Sequence, residues 1–238
     1  MSDEADPVAE NIARVRERIA RAVERSGRSA SEITLVAVSK TFPPEAIRAA
    51  YGAGMRHFGE NRVQEFEPKR QALGGLDSTW HMVGHVQGNK ARKVAELFNR
   101  VDSIDRFSTA EKLDTAIAEG AAGERLPVLI EVKLAGEETK SGVEEAALAH
   151  LVEDISQKCS DLDLRGLMAI PPYAEDPEQA RPFFRRLREL RDHLRQKVGL
   201  ELPVLSMGMS HDFEVAIEEG ATEVRIGTAI FGSRQQIL

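Results

Sequence analysis

Lys40 follows a fully apolar run in Leu35-Val36-Ala37-Val38-Ser39-Lys40-Thr41-Phe42-Pro43-Pro44, and Arg225 interrupts another in Glu223-Val224-Arg225-Ile226-Gly227-Thr228. If both runs are strands, side chains alternate between two faces, and Lys40 shares its face with Val38, Val36 and Thr34. An ammonium held among apolar neighbours loses hydration, so its pKa falls and a nucleophilic amine is freed. Such an amine suits Schiff-base chemistry with an aldehyde. The same position also suits a lysine that simply leaves the strand end and extends its head into water. Arg225 has parity opposite to Val224 and Ile226, so its permanent charge points to the other face and needs an acceptor there. That acceptor is either a bound ligand or an inward carboxylate such as Glu60 or Glu131.

Two further stretches suit an anion. Ser206-Met207-Gly208-Met209-Ser210 and Gly227-Thr228 end the last two apolar runs in small residues whose backbone N–H groups a phosphate could approach. Ser210 also reads as the N-cap of the helical segment that follows it. Other candidates fall away. The glycines of 52–59 follow a helix and precede a strand, the reverse of a dinucleotide-binding turn, and 84–90 lacks the glycine spacing and final hydroxyl of a phosphate loop. His81 and His85 share strand parity, but no third ligand stands at a recognisable spacing, so no metal is expected.

The elements that must position these residues alternate along the chain. After a lead-in amphipathic helix carrying Val8, Ile12, Val15, Ile19 and Val23, short runs rich in Val, Ile and Leu recur at 33–39, 56–59, 80–84, 100–104, 127–134, 164–170, 203–208 and 223–227. Helical patterns separate them. Strands buried on both faces and joined by helices predict a parallel sheet. Eight such units in a chain of 238 residues predict a closed (β/α)8 TIM barrel, with an open doubly wound sheet as the alternative. The expectation is one barrel domain over 1–238, with 1–27 as the lead-in helix and 33–238 as the barrel. Barrel sites lie at the carboxyl ends of the strands, where Lys40 and Gly227-Thr228 fall.

Composition narrows the function classes. Lys plus Arg number 32 against 39 Asp plus Glu, a net charge of −7, with the basic residues scattered; nucleic acid is not an expected partner. No apolar run approaches the roughly 20 residues of a membrane span. The acidic N-terminus and the single cysteine, Cys159, point to a cytoplasmic protein without disulfides. The segment 181–197 sets Phe183, Phe184, Leu187, Leu190 and Leu194 at helical spacing among basic residues, which reads as a barrel helix with a solvated face.

Taken together, these parts resemble the pyridoxal phosphate homeostasis protein family, single-domain relatives of the alanine racemase N-terminal barrel. The resemblance covers nearly the whole chain: LVAVSKTFPPEAI at 35–47, FGENRVQE at 58–65, WHMVGHVQGNK at 80–90, SIDR at 103–106, EETKSG at 137–142, GLMAIPP at 166–172, LSMGMSHD at 205–212 and VRIGTAIFG at 224–232. It implies that Lys40 holds pyridoxal 5'-phosphate as a covalent aldimine and that Arg225 approaches the pyridine nitrogen. It also implies that the Ser206 to Ser210 stretch and Gly227-Thr228 hold the phosphate, with Asn61 near the cofactor. Asp102 stands where the family commonly has His, and Lys133 where Asn is expected.

An arginine beside the ring nitrogen cannot accept its proton, which leaves the ring a weak electron sink. Only TAIFGSRQQIL follows the last strand, so no second domain is expected to cover the site or to supply a tyrosine opposite Lys40. The expected function is a monomeric carrier of pyridoxal phosphate that takes part in vitamin B6 homeostasis, with no catalytic residue and with apoenzymes as recipients. The alternatives are a slow racemase or lyase using the same lysine, an aldolase using Lys133 or Lys140, and a pure protein-binding scaffold.

Overall fold

The structure is a computed structural model that describes residues 7–120, 124–135 and 141–233. Lys140 lies outside the described residues. Among the described residues, nine strands run in chain order: β1 (Thr34–Val38), β2 (His57–Glu60), β3 (Thr79–Met82), β4 (Arg100–Ile104), β5 (Leu126–Lys133), β6 (Val143–Glu144), β7 (Leu162–Met168), β8 (Val204–Ser206) and β9 (Glu223–Ile226). All pairings are parallel, and β4 pairs with β5 while β9 returns to β1 through Val36↔Arg225 and Ala37↔Ile226. The sheet therefore closes into the expected eight-stranded barrel. Strand β6 only extends the edge at the end of β5, through Val132↔Val143 and Lys133↔Glu144. Two residues carry no alternation for a sequence reading to find.

The helices are α1 (Pro7–Arg25), α2 (Pro44–Gly52), α3 (Val63–Ala72), α4 (Ala91–Leu97), α5 (Phe107–Glu119), α6 (Glu145–Lys158), α7 (Arg181–Val198), α8 (Phe213–Glu218) and α9 (Thr228–Phe231). Pro44 begins α2, where its missing N–H costs nothing. Gly199 ends α7 in the left-handed conformation, at φ 67°. Helix α1 buries Ile12, Val15, Ile19, Ala22 and Val23 and packs on α8 and α9. Arg18 and Arg25 tie it to Glu214 at 3.0 Å and Glu218 at 2.7 Å. On α7, Phe184, Leu187 and Leu194 are buried, while Arg181, Arg185 and Arg188 converge on Glu219 after α8. Part of the face read as solvated thus clamps a neighbouring helix.

One set of strand side chains faces the helices and the other faces the barrel axis. Ala37, Phe58, Trp80, Val101, Ile130, Leu167, Leu205 and Val224 join the helix residues in one continuous core. Phe58 and Phe66 pack on Trp80 with ring centroids 5.2 and 4.7 Å away. Burying each such side chain contributes about 1.5–3 kcal/mol, so most of the stabilisation lies in this shell. Two apolar runs outlast their strands: Ala169-Ile170 and Met207-Gly208 lie just beyond the strand ends at the carboxyl end of the barrel, where Ala169 N still donates to Ser206 O at 3.2 Å and Met207 N to Glu223 O at 3.1 Å.

Candidate functional site

Lys40 stands one residue beyond Ser39, just past the end of β1, in a tight turn that Phe42 N closes by donating to Ser39 O at 3.1 Å. Thr41 takes φ 68° in that turn, a left-handed conformation that a β-branched residue adopts only when its surroundings hold it. The surroundings do. Ser39 Oγ donates to Glu60 Oε1 at 2.7 Å, and Lys69 Nζ of α3 donates to Ser39 O at 3.0 Å and to Glu60 Oε1 at 2.9 Å. Burial pushes the Glu60 carboxyl above its usual range, while Lys69 and Ser39 favour its charged form. On the far side, Phe42 stacks on Phe231 of α9 with centroids 5.0 Å apart. Glu60 is therefore committed to the outer layer and is not the partner of Arg225.

The turn places Lys40 on the wall of a cavity of about 270 Å3, whose lining includes Lys40, Asn61, Ser210, Arg225, Gly227 and Thr228. Six of the seven residues singled out in the sequence are brought together there, from the ends of β1, β2, β8 and β9. Val38, Val83, Ile170 and Met209 supply apolar walls. At one end, Ser210 Oγ accepts from Ala229 N at 3.2 Å, in the first turn of α9. Ser210 does not cap α8, whose N-cap is Asp212; the Asp212 carboxylate instead accepts from Met209 N at 2.6 Å. Gly208 makes this loop possible: its φ is 93°, and a Cβ there would fall 2.6 Å from Ala216 Cβ. Gly227 passes so close to β1 that a Cβ would meet Val38 O at 3.3 Å.

The seventh residue, Ser206, lies fully buried behind Arg225 and does not line the cavity. Arg225 Nη1 donates to Ser206 Oγ at 2.6 Å and Nη2 to Ala169 O at 3.0 Å, and Ser206 Oγ donates in turn to Glu223 Oε1 at 2.6 Å. Behind Glu223 stands Arg100, with Nη1 3.0 Å from Glu223 Oε2 and Nε 2.6 Å from Asp102 Oδ1. Asp102 Oδ2 then lies 3.0 Å from His81 Nδ1, and His81 Nε2 lies 3.0 Å from His57 Nδ1. A polar column thus fills the barrel axis from His57 at the amino end to Arg225 at the carboxyl end. The His81 ring thus bridges Asp102 and His57 through its two nitrogens.

Charge in the column is balanced by alternation. Burial pulls Arg225 below its ordinary pKa, and Glu223, Asp102, Glu131 and Asp212 oppose that pull; a guanidinium stays protonated regardless. Burial also works against the charge of Asp102, but Arg100 and His81 hold its carboxyl below the usual range. His57, lowered to about 4 by burial and by the charges of His81 and Arg100, is neutral at pH 7. His81, Asp102 and Glu223 lie close enough to suggest a metal cluster, yet Arg100 already brings positive charge between the two carboxylates. His85 is not part of it: it lies beyond the end of β3, half-exposed, with Nδ1 3.1 Å from Asp105.

Reasoning from sequence missed Arg100, Asp102 and Glu223 as site-supporting residues. A signal was present: Arg100-Val101-Asp102 and Glu223-Val224-Arg225 each set opposite charges two apart on one face of a buried strand. Glu131, the other carboxylate considered for Arg225, contributes only through its field and accepts from Ser141 Oγ at 2.9 Å. Lys133 is held by Glu144 at 3.0 Å and faces a different cavity, with Glu131, Ser141 and Ile170.

A closed parallel barrel with Lys40, Arg225 and the Ser210 and Gly227-Thr228 turns converging at its carboxyl end defines the class. The chain matches the family described as alanine racemase, N-terminal domain, over residues 9–235. It is 49% identical over 226 residues to the pyridoxal phosphate homeostasis protein of Aquifex aeolicus (95% of this chain, 98% of that one) and 45% identical over 227 residues to that of Pseudomonas aeruginosa (95% and 96%). The structure of PipY from Synechococcus elongatus PCC7942 with PLP bound superposes with a TM-score of 0.84 at 38% identity, covering 94% of this chain and 100% of PipY. The chain belongs to the pyridoxal phosphate homeostasis protein family. Among the described residues no helix is long and apolar enough to cross a membrane.

Proposed function

We propose that this protein is a carrier of pyridoxal 5'-phosphate in the cell's vitamin B6 economy, holding the vitamer covalently through Lys40 without turning over a substrate. The observation that carries this reading is the cavity itself. Its apolar walls suit a flat ring, its volume of about 270 Å3 is near the lower end of ordinary ligand sites, about 300 Å3, and so matches one small molecule. Ser210, Gly227 and Thr228 at one end suit a phosphate, Arg225 suits a ring nitrogen, and Lys40 suits the aldehyde. Asn61 completes the polar lining, and Ser206 acts behind the wall as the anchor of Arg225.

When bound, pyridoxal phosphate supplies an aldehyde that an amine captures reversibly and a ring that can delocalise electrons. The protein's own groups favour the first property over the second. Arg225 is fixed by two acceptors and cannot take up a ring proton. Among the described residues, the titratable group lining the cavity besides Lys40 and Arg225 is His211. Its Nε2 stands 2.9 Å from Glu175 O, and its ring rests against Tyr173, itself 80% exposed. A reversible proton transfer on both sides of a substrate needs two positioned bases; among the described residues this site offers Lys40 and a His211 whose Nε2 is already engaged. The same reading has the chain act as a cytoplasmic monomer, one barrel unit over 1–238, that hands its cargo to apoenzymes.

Borohydride reduction of the pyridoxal-phosphate-loaded protein, followed by peptide mapping, tests the covalent link. The label is expected on the peptide containing Lys40; a label on Lys133 or Lys140 would overturn the assignment. Incubation of the loaded protein with α-deuterated amino acids tests the carrier role. No exchange above the free-cofactor rate is expected, and rapid exchange of any amino acid would make the protein an enzyme.

A further inference from the structure

The cavity that holds Lys40 has a larger neighbour. A groove of about 550 Å3 opens beside it at the carboxyl end of the barrel, between the turn after β2 and the turn after β3. These turns belong to FGENRVQE and WHMVGHVQGNK, two stretches that the cofactor reading leaves almost unused. Asn61 lines both cavities, so the two share a wall.

The groove is built rather than left by loose loops. A Cβ on Gly84 would fall 2.3 Å from Asn61 O, so the two turns can meet only because Gly84 has no side chain. Ser103 Oγ then pins Gly84 O at 2.6 Å, and Val83 N donates to Glu60 O at 3.0 Å. Met82, Val86 and Val94 give the groove an apolar floor, all three buried in the surrounding protein. Its rim carries Arg62, His85 and Lys90. Arg62 has a long contact of 3.6 Å to Glu65, and His85 is paired with Asp105 at 3.1 Å. Lys90 is half-buried at the end of the turn Gly88–Lys90; its N–H donates to Gln87 O at 2.8 Å, while no hydrogen-bond or ion-pair partner reaches its ammonium among the described residues.

An ammonium with no carboxylate beside it is open to a charge-assisted contact with something anionic. A cation over an apolar floor, in a space the size of an ordinary metabolite site, selects a ligand with the matching two parts. We propose that this groove is a second binding site, independent of the cofactor cavity, for a small organic anion whose carboxylate or phosphate meets Lys90 and whose apolar body lies on Met82, Val86 and Val94. The proposal does not depend on what occupies the neighbouring cavity.

Titration of 15N-labelled full-length protein with hexanoate, hexyl phosphate and inorganic phosphate tests it, following the backbone amides of 61–65 and 84–90. Saturable shifts in those amides with hexanoate or hexyl phosphate are expected, and the tighter of the two identifies the head group. Lys90→Gln is expected to weaken binding by roughly tenfold or more, since a charge-assisted contact is lost, while Lys90→Arg keeps it. Lys90 is half-exposed, so both variants keep the fold, which the rest of the spectrum reports. Three results would each overturn the proposal: inorganic phosphate binding as tightly as the six-carbon probes, unchanged affinity in Lys90→Gln, or shifts confined to Lys40, Ser210 and Thr228.

Discussion

Outside the strands, Phe58, Trp80, Val101, Ile130, Leu167 and Val224 meet the helices as a continuous apolar layer, whereas inside the same strands His57, His81, Arg100, Asp102, Glu223 and Arg225 meet one another. One backbone thus carries two cores with opposite chemistry. The outer layer stabilises through burial, which is non-directional and tolerant of exchange among apolar residues. The axial column gains little net stability, because desolvating its charges offsets their attraction. It fixes instead where one guanidinium points. The difference teaches that stability and, on the proposed function, ligand recognition are assigned to opposite faces of the barrel wall.

Substitutions of similar cost on the two faces give the sharpest form of this comparison. Trp80→Ala in the outer layer and Arg100→Ala in the column are each expected to cost about 3–5 kcal/mol, the first by opening a cavity and the second by leaving Asp102 and Glu223 buried without their counter-charge. Denaturant unfolding measures both. Only the Arg100 variant is expected to change the absorption spectrum of bound pyridoxal phosphate, because only it disturbs the support of Arg225. Equal spectral change in both would dissolve the distinction.

The column should also respond to acid where the shell does not. The folded pKa of His57 is lowered to about 4 from 6.5, so the unfolded chain binds more protons between those values. The stability from a neutral His57 is therefore present above pH 6.5 and is lost as pH falls toward 4. Discounted for its partial exposure, this amounts to at most about 2 kcal/mol. His57→Gln should flatten that part of the stability profile by the same amount, as thermal melts across the range would show. A profile unchanged by the substitution would mean that His57 is not linked to the column.

Ser206→Ala is the smallest cut. It removes one hydroxyl between Arg225 and Glu223 without changing any charge, at about 1 kcal/mol of stability. Equilibrium dialysis is expected to show weaker retention of pyridoxal phosphate despite that small cost. Full retention would mean that Ala169 O and the surrounding packing suffice to hold Arg225.

The same two faces explain what could be read from the sequence. The apolar layer writes itself into periodicity, which is why eight strands, the lead-in helix and barrel closure were legible, with boundaries off by a residue or two. Lys40 and Arg225 were legible because each breaks an apolar run with a charge. Ser206 was legible as a member of its motif but not in its place, since parity alone does not say whether an inward hydroxyl reaches a cavity or stops behind a neighbour. The column was not read at all, because its partners come from β2, β3, β4, β8 and β9 and meet only when the barrel closes. Ser210 misled for a related reason: local pattern offers it to α8, while the closed fold offers it to α9.

The central claim is that the amine of Lys40 captures the vitamer at the mouth of this barrel. Absorption spectra of the protein and of Lys40→Ala, each loaded with pyridoxal phosphate and then dialysed, test it most directly. The protein is expected to keep a visible band that the variant loses. A parent protein that stays colourless, or a variant that retains the same band at the same occupancy, would contradict the account.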